Sequence, residues 1–97
     1  MSSGDLVGDH ANVADDGYLD IQPTAGIEWI IHNLFIPDGI AGGVEVYSYD
    51  GASSILIGTF TSTQMMVNFH CSNDFYLRMK NVSGSAADLG YDGIVVK

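Results

Sequence analysis

The side chains that could carry chemistry in this chain are three histidines, one cysteine and 12 carboxylates among 97 residues. A cysteine nucleophile needs an imidazole within hydrogen-bond reach and a third group to orient the ring. His70 and Cys71 are adjacent in sequence. Neighbours in an extended strand point to opposite faces, so these two side chains diverge. Cys71 alternates with Met65, Val67 and Phe69 and reads as a small buried apolar residue. Zinc needs ligands at short, defined spacings. His10, His32 and His70 are scattered and make no His-x-His, Cys-x-x-Cys or His-Glu-x-x-His pattern. Calcium takes about six to eight oxygens. Asp15, Asp16 and Asp20, or Asp50 and Asp92, are placed to offer some of them, although the EF-hand pattern is missing and Asp before Gly suits a turn in its own right. Glu28 and Glu45 are the carboxylates expected in mid-strand, and a chain this short is a small platform for a hydrolytic cleft. Gly39 to Gly43 leads into a strand and not a helix, so it is no phosphate loop. The chemistry points to a protein that is not an enzyme, with no cofactor other than a calcium ion held as an alternative.

Binding residues are easier to find. Tyr47, Tyr49, Tyr76 and Tyr91 are expected on strand faces turned away from the aliphatic ones, where tyrosines serve protein or sugar surfaces or pair across strands. Arg78 and Lys80 project beside Tyr76, ready to meet a carboxylate of a neighbouring molecule. Asn81-Val82-Ser83 fits the N-glycosylation pattern, but the N-terminus Met-Ser-Ser-Gly-Asp lacks the basic and apolar regions of a signal peptide.

These residues need strands to position them. The run Ile27 to Ile36 holds the only tryptophan and is rich in β-branched and aromatic residues. It ends at Pro37-Asp38-Gly39, a turn signal, so it reads as a central strand and not a helix. Simple alternation puts Ile27, Trp29, Ile31 and Phe35 on one face and Ile30, Leu34 and Ile36 on the other. Shorter strands follow over Tyr18–Gln22, Val44–Tyr49, Ile55–Thr61, Gln64–Cys71 and Phe75–Lys80, where Phe75, Leu77 and Met79 point inward. Asp50-Gly51 marks a hairpin turn. Leu89 to Val96 reads as a strand broken by Tyr91-Asp92-Gly93. The sum is an all-β chain of about seven to eight short antiparallel strands, a β-sandwich or jelly-roll-like barrel. Residues 1–16 are polar, with Leu6, Val7 and Val13 as their sizeable aliphatics after Met1. They read as an N-terminal arm, and 17–97 as the β-sandwich domain.

Bulk charge excludes several functions. The formal net charge is −9, and the basic residues are Arg78, Lys80 and Lys97. Nucleic-acid binding requires cations that neutralise phosphates, and anionic membranes require them too. Neither partner is expected. A single cysteine allows no intrachain disulfide.

Tyr18-Leu19-Asp20-Ile21-Gln22-Pro23, Glu28-Trp29-Ile30-Ile31-His32-Asn33, Tyr76-Leu77-Arg78-Met79-Lys80-Asn81 and Tyr91-Asp92-Gly93 resemble stretches of small virion structural proteins of tailed bacteriophages. The resemblance runs from about Tyr18 to Lys97. It implies a small all-β protein that decorates or cements the capsid, or a head fibre. It further implies a major capsid protein as partner, a homo-oligomer with a trimer favoured, and a place on the virion's capsid surface after synthesis in the host cytoplasm. The arm residues Leu6, Val7 and Val13, with Tyr76, Arg78 and Lys80, are the expected partner-binding positions. The alternative is a carbohydrate-binding β-sandwich, possible with calcium, suggested by Trp29, the tyrosines and the Asp turns.

Overall fold

A computed structural model describes residues 3–97. Eight strands make up the fold: β1 (Leu6–Val13), β2 (Tyr18–Ile21), β3 (Trp29–Phe35), β4 (Val44–Tyr49), β5 (Ser54–Phe60), β6 (Phe69–Cys71), β7 (Tyr76–Asn81) and β8 (Ala87–Val95). They form two four-stranded antiparallel sheets, ordered β1-β8-β3-β6 and β2-β7-β4-β5. The chain crosses between sheets at nearly every connection, and β4–β5 is the one consecutive pair within a sheet. This is the strand order of a jelly-roll sandwich. The all-β sandwich expected from strand spacing is the fold observed.

Alternation explains the core. Val7, Val13, Ile31, Leu34, Leu89 and Val95 from one sheet meet Leu19, Ile21, Val44, Val46, Leu77 and Met79 from the other. Each inward side chain of this size contributes about 1.5–3 kcal/mol by leaving water. Cys71 lies in the same core, and burial pushes its thiol up to about 11. It therefore stays a neutral thiol at physiological pH, with almost no nucleophilic thiolate.

Residues 1–16 do not make an arm where they are described. Leu6–Val13 pairs with β8 along its whole length, from Leu6 opposite Ile94 to Val13 opposite Ala87. Residues 1 and 2 of the expected arm lie outside the described residues. The polar look of β1 misled because an edge strand with one solvated face needs an apolar residue only at alternate positions. Here Val7, Ala11 and Val13 supply them.

Three further expectations need correction. In β3, Ile31 pairs with Gly93 and Asn33 with Asp92, so His32 is an extra, bulged residue. The bulge shifts the inward period. Ile31 and Leu34 are both 0 % exposed, and Phe35 turns to the outer face, where it meets His10. The strand expected from Gln64 forms only from Phe69. Gln64 instead exchanges a pair of 2.9 Å backbone bonds with Leu34. Phe75, expected inside, precedes β7 and is exposed, while its neighbour Tyr76 is buried.

One buried polar side chain ties several segments together. Asn81 is 0 % exposed. Its Nδ2 donates to the carbonyls of Val13 (2.9 Å) and Ser85 (2.8 Å). Its Oδ1 accepts from the Ser83 amide (3.0 Å) and hydroxyl (2.7 Å). The amide is thus satisfied on both ends, as burial demands. The glycosylation pattern that begins at Asn81 is therefore a structural device in the folded chain.

Candidate functional site

The outer face of the β2-β7-β4-β5 sheet gathers aromatic and charged side chains by register alone. Asp20 of β2 and Tyr47 of β4 both lie opposite Arg78 of β7. Tyr18 and Glu45 flank Lys80, and Tyr49 lies opposite Tyr76. The alternate residues Leu77, Met79 and Asn81 point into the core, which leaves the charged ones outside.

Arg78 is the centre of this face. Its Nε donates to Asp20 Oδ1 at 2.8 Å. Its guanidinium carbon lies 4.3 Å from the Tyr18 ring centroid and 4.8 Å from that of Tyr49. Lys80 Nζ is 5.8 Å from the same Tyr18 ring. The Asp20 hydrogen bond raises the Arg78 pKa further, so the charge is permanent. Tyr47 donates its hydroxyl proton to Glu45 at 2.8 Å, and that bond raises the phenol's pKa. Tyr49 and Tyr76 meet edge-to-face at 5.5 Å. The ion pair is partly solvated, so it contributes about 0.2–1 kcal/mol to stability. Its larger effect is to hold a flat, oriented guanidinium between two rings.

Of the expected partner-binding residues, Arg78 and Lys80 sit together here. Tyr76 shares their face by alternation but is covered, with the Tyr49 ring against it, and offers little surface. Val7 and Val13 are buried, so neither side chain can reach a partner. Leu6 is 85 % exposed, but it lies on β1 in the other sheet and does not join this face. Tyr91, expected on an outer face, is buried and stacks on Trp29 at 6.1 Å. Tyr18 and Asp20 join this face without being among the binding residues expected from sequence. Their signal was the alternation with buried Leu19 and Ile21.

Four of the five aspartates that could offer oxygens to calcium make separate contacts within the chain. Asp20 holds Arg78, Asp15 accepts from the Gly84 amide, and Asp92 accepts from Asn33 Nδ2 at 2.7 Å. Asp50 accepts from the Ala52 and Ser53 amides, which lowers its pKa. Among the described residues, no three His, Cys, Asp or Glu side chains gather as a metal site.

The outer face of the other sheet carries a shallow groove. One part, about 460 Å³, runs between Leu6, His32, Asn33 and Ile94 over Gly8 and Asp92. A second, about 500 Å³, continues over Gly8 and Asp92 to His10 and Phe35, whose rings meet edge-on at 5.4 Å. Gly8 and Gly93 are among its lining residues, and a Cβ at Gly8 would press on the Tyr91 carbonyl oxygen at 3.0 Å. Beyond the groove, His70 Nε2 and Lys97 Nζ approach Glu28 at 2.8 and 3.5 Å. The His70 hydrogen bond is the main cause that lowers the Glu28 pKa.

The fold and its two outer faces thus define a small jelly-roll sandwich with an aromatic, charged face and a shallow, mostly apolar groove. No family model matches the chain, and no curated protein sequence does. Among solved structures, one reported under the words "Bacillus endospore appendages form a novel family of disulfide-linked pili" is similar at 15% identity and a TM-score of 0.49, covering 97% of this chain and 88% of that one.

Proposed function

We propose that this domain is a non-enzymatic structural protein of a virion, seated on the outer capsid shell of a tailed phage and adding contacts between capsomers. The observation that carries the reading is the face built around Arg78, Tyr18, Tyr49 and Asp20. Tyrosine and arginine in a preorganised cluster are the composition of protein-binding hot spots. The strongly acidic remainder of the chain suits a surface that faces solvent and turns away from packaged nucleic acid. The stretches that resemble virion proteins include β2 and β7, which supply this face. A protein that binds the assembled shell and not its free subunits stabilises the shell by mass action.

The test is to quantify the chain against the major capsid protein in purified particles, then to rebind Arg78→Glu protein to stripped particles. A capsid-wide decoration is expected to be present in copies on the order of hundreds per particle, and Arg78→Glu is expected to lower affinity at least about tenfold, a loss of about 1.4 kcal/mol or more. Particles without the chain, or full binding by a folded variant, overturn the reading.

A second reading is a carbohydrate-binding module, favoured by the groove in which His10, Asn33 and Asp92 stand near the Phe35 ring. Planar polar groups beside an aromatic ring suit sugar hydroxyls and the apolar face of a sugar ring. It is expected to raise the melting temperature in maltoheptaose or chitohexaose by a few degrees, and His10→Ala to abolish the shift. No shift with either sugar, with or without calcium, removes it.

A further inference from the structure

We propose that the outer face of the β1-β8-β3-β6 sheet docks an extended basic segment of a partner protein, whose lysine or arginine side chains close on Asp92 and Asp88. This face lies on the sheet opposite the Arg78 cluster. The proposal therefore goes beyond the capsid reading and does not rest on it.

Strand β8 lays out the face, since it runs between β1 and β3. Its inward Leu89, Tyr91 and Val95 are buried, so its outward residues are Asp88, Gly90, Asp92 and Ile94. At roughly 3.3 Å per residue, the two carboxylates stand about 13 Å apart. The His10 ring lies over Gly90 between them, where a Cβ would collide with it. Phe35 meets that ring edge-on. The two rings make a ridge with a depression on each side. Asp92 lies in one, beside Leu6 and Ile94. Asp88 lies in the other, of about 240 Å³, beside Pro37 and Thr63.

Both carboxylates are held in the same way. Asn33 Nδ2 donates to Asp92 Oδ1 at 2.7 Å, and Asn12 Nδ2 donates to Asp88 Oδ1 at 2.9 Å. A neutral amide orients a carboxylate but leaves its charge and its other oxygen open. Among the described residues, no lysine, arginine or histidine nitrogen pairs with either aspartate. Lys97 is at Glu28, and Arg78 and Lys80 belong to the other sheet.

Charge and shape select the occupant. A metal ion would find one carboxylate on each side of the ridge and no third ligand group, where calcium takes about six to eight oxygens. A sugar ring would meet the aromatic ridge but bring no charge for the two aspartates. A lysine or arginine side chain brings both parts: an apolar stem for Leu6 and Ile94, and a cation for Asp92. The same cation is attracted to the face of the Phe35 ring. In an extended chain, side chains four residues apart point the same way and lie about 13 Å apart, so one segment laid along β8 reaches both carboxylates.

The test is an NMR titration of the full chain with the end-blocked peptide Lys-Thr-Val-Thr-Lys at near-physiological salt. Binding should saturate at one peptide per chain and shift the amide signals of β8, His10 and Phe35 more than those of β2. Asp92→Asn keeps an oxygen for Asn33 and should weaken binding at least about fivefold, with a further loss when Asp88→Asn is added. Asp74→Asn removes the same charge from an exposed turn and should change affinity less than about twofold, because salt screens distant charges. A peptide with glutamine in place of both lysines should not bind, which tests the charge whether or not the variants fold. Arg78→Glu protein should bind the peptide at least as well as the parent, so a failed capsid reading is distinguishable from a failure here. Unsaturable binding, equal losses from Asp74→Asn and Asp92→Asn, or equal binding of the glutamine peptide overturns the proposal. Binding of maltoheptaose without binding of the peptide also overturns it, in favour of a sugar.

Discussion

Replacing Asn81 by alanine is expected to cost about 2–4 kcal/mol of folding free energy, which for a domain of this length lowers Tm by roughly 10–30 °C. The side chain fills four hydrogen-bonding roles in a site with 0 % exposure. It joins the end of β1, through Val13, to the Ser83–Ser85 turn that leads from β7 into β8. Alanine leaves the carbonyls of Val13 and Ser85 and the amide of Ser83 without this partner. An unsatisfied buried group costs more than a made bond contributes. Ser83→Ala removes only the hydroxyl, whose bonds go to Asn81 Oδ1 and the Ser85 carbonyl, and should cost about 1 kcal/mol. Urea unfolding of the two variants measures the difference. Equal, small losses would mean that water replaces the amide and that Asn81 is not the tie it is drawn as.

Gly93→Ala is the second large effect, expected at about 3 kcal/mol or more. Gly93 sits in β8 where β3 crosses closest. A Cβ there would collide with the Ile30 carbonyl oxygen and crowd the Ile31 Cα. These are backbone atoms in a paired strand, and they have no rotamer by which to move aside. The β3–β8 ladder would have to part at its bulge, in the middle of the sheet. Gly51 is the control. It has φ +92° and open space around a would-be Cβ, so alanine there meets only the left-handed backbone penalty of about 1–2 kcal/mol. Amide exchange of β3 and β8 would separate the two cases, since only Gly93→Ala should expose that ladder. A Gly93→Ala protein as stable as the Gly51→Ala one would contradict the crowding argument.

That pair of glycines shows where sequence reading holds and where it stops. Tyr49-Asp50-Gly51 and Tyr91-Asp92-Gly93 are the same tripeptide. One is a hairpin turn, with Asp50 capping it. The other lies inside an unbroken nine-residue strand. Local chemistry favours a turn in both. Only the strand that packs over Gly93 decides the second, and that strand lies some sixty residues earlier in the chain. The fold class was legible because turns and alternating runs are local signals. The bulge at His32 was not, because it is set by pairing with β8. β1 was legible in principle from Val7, Ala11 and Val13, but its outward Leu6, His10 and Asn12 outweighed them. The candidate face was half legible. Alternation in β7 placed Arg78 and Lys80 outside, whereas the meeting of Arg78 with Asp20 depends on pairing across 58 residues.

The pairing of β1 with β8 has a mechanical consequence. The chain's first and last strands lie side by side and antiparallel, with Leu6 opposite Ile94. Gly4 and Asp5 bond to Val95 at the same end of that ladder. A tension applied between Gly4 and Val95 would load the outermost rung first and peel the ladder open rung by rung. A pull along β5 through a neighbouring strand would instead load all rungs of β4–β5 at once, in shear. The same domain is therefore soft when stretched by its ends and stiff when gripped along its edge.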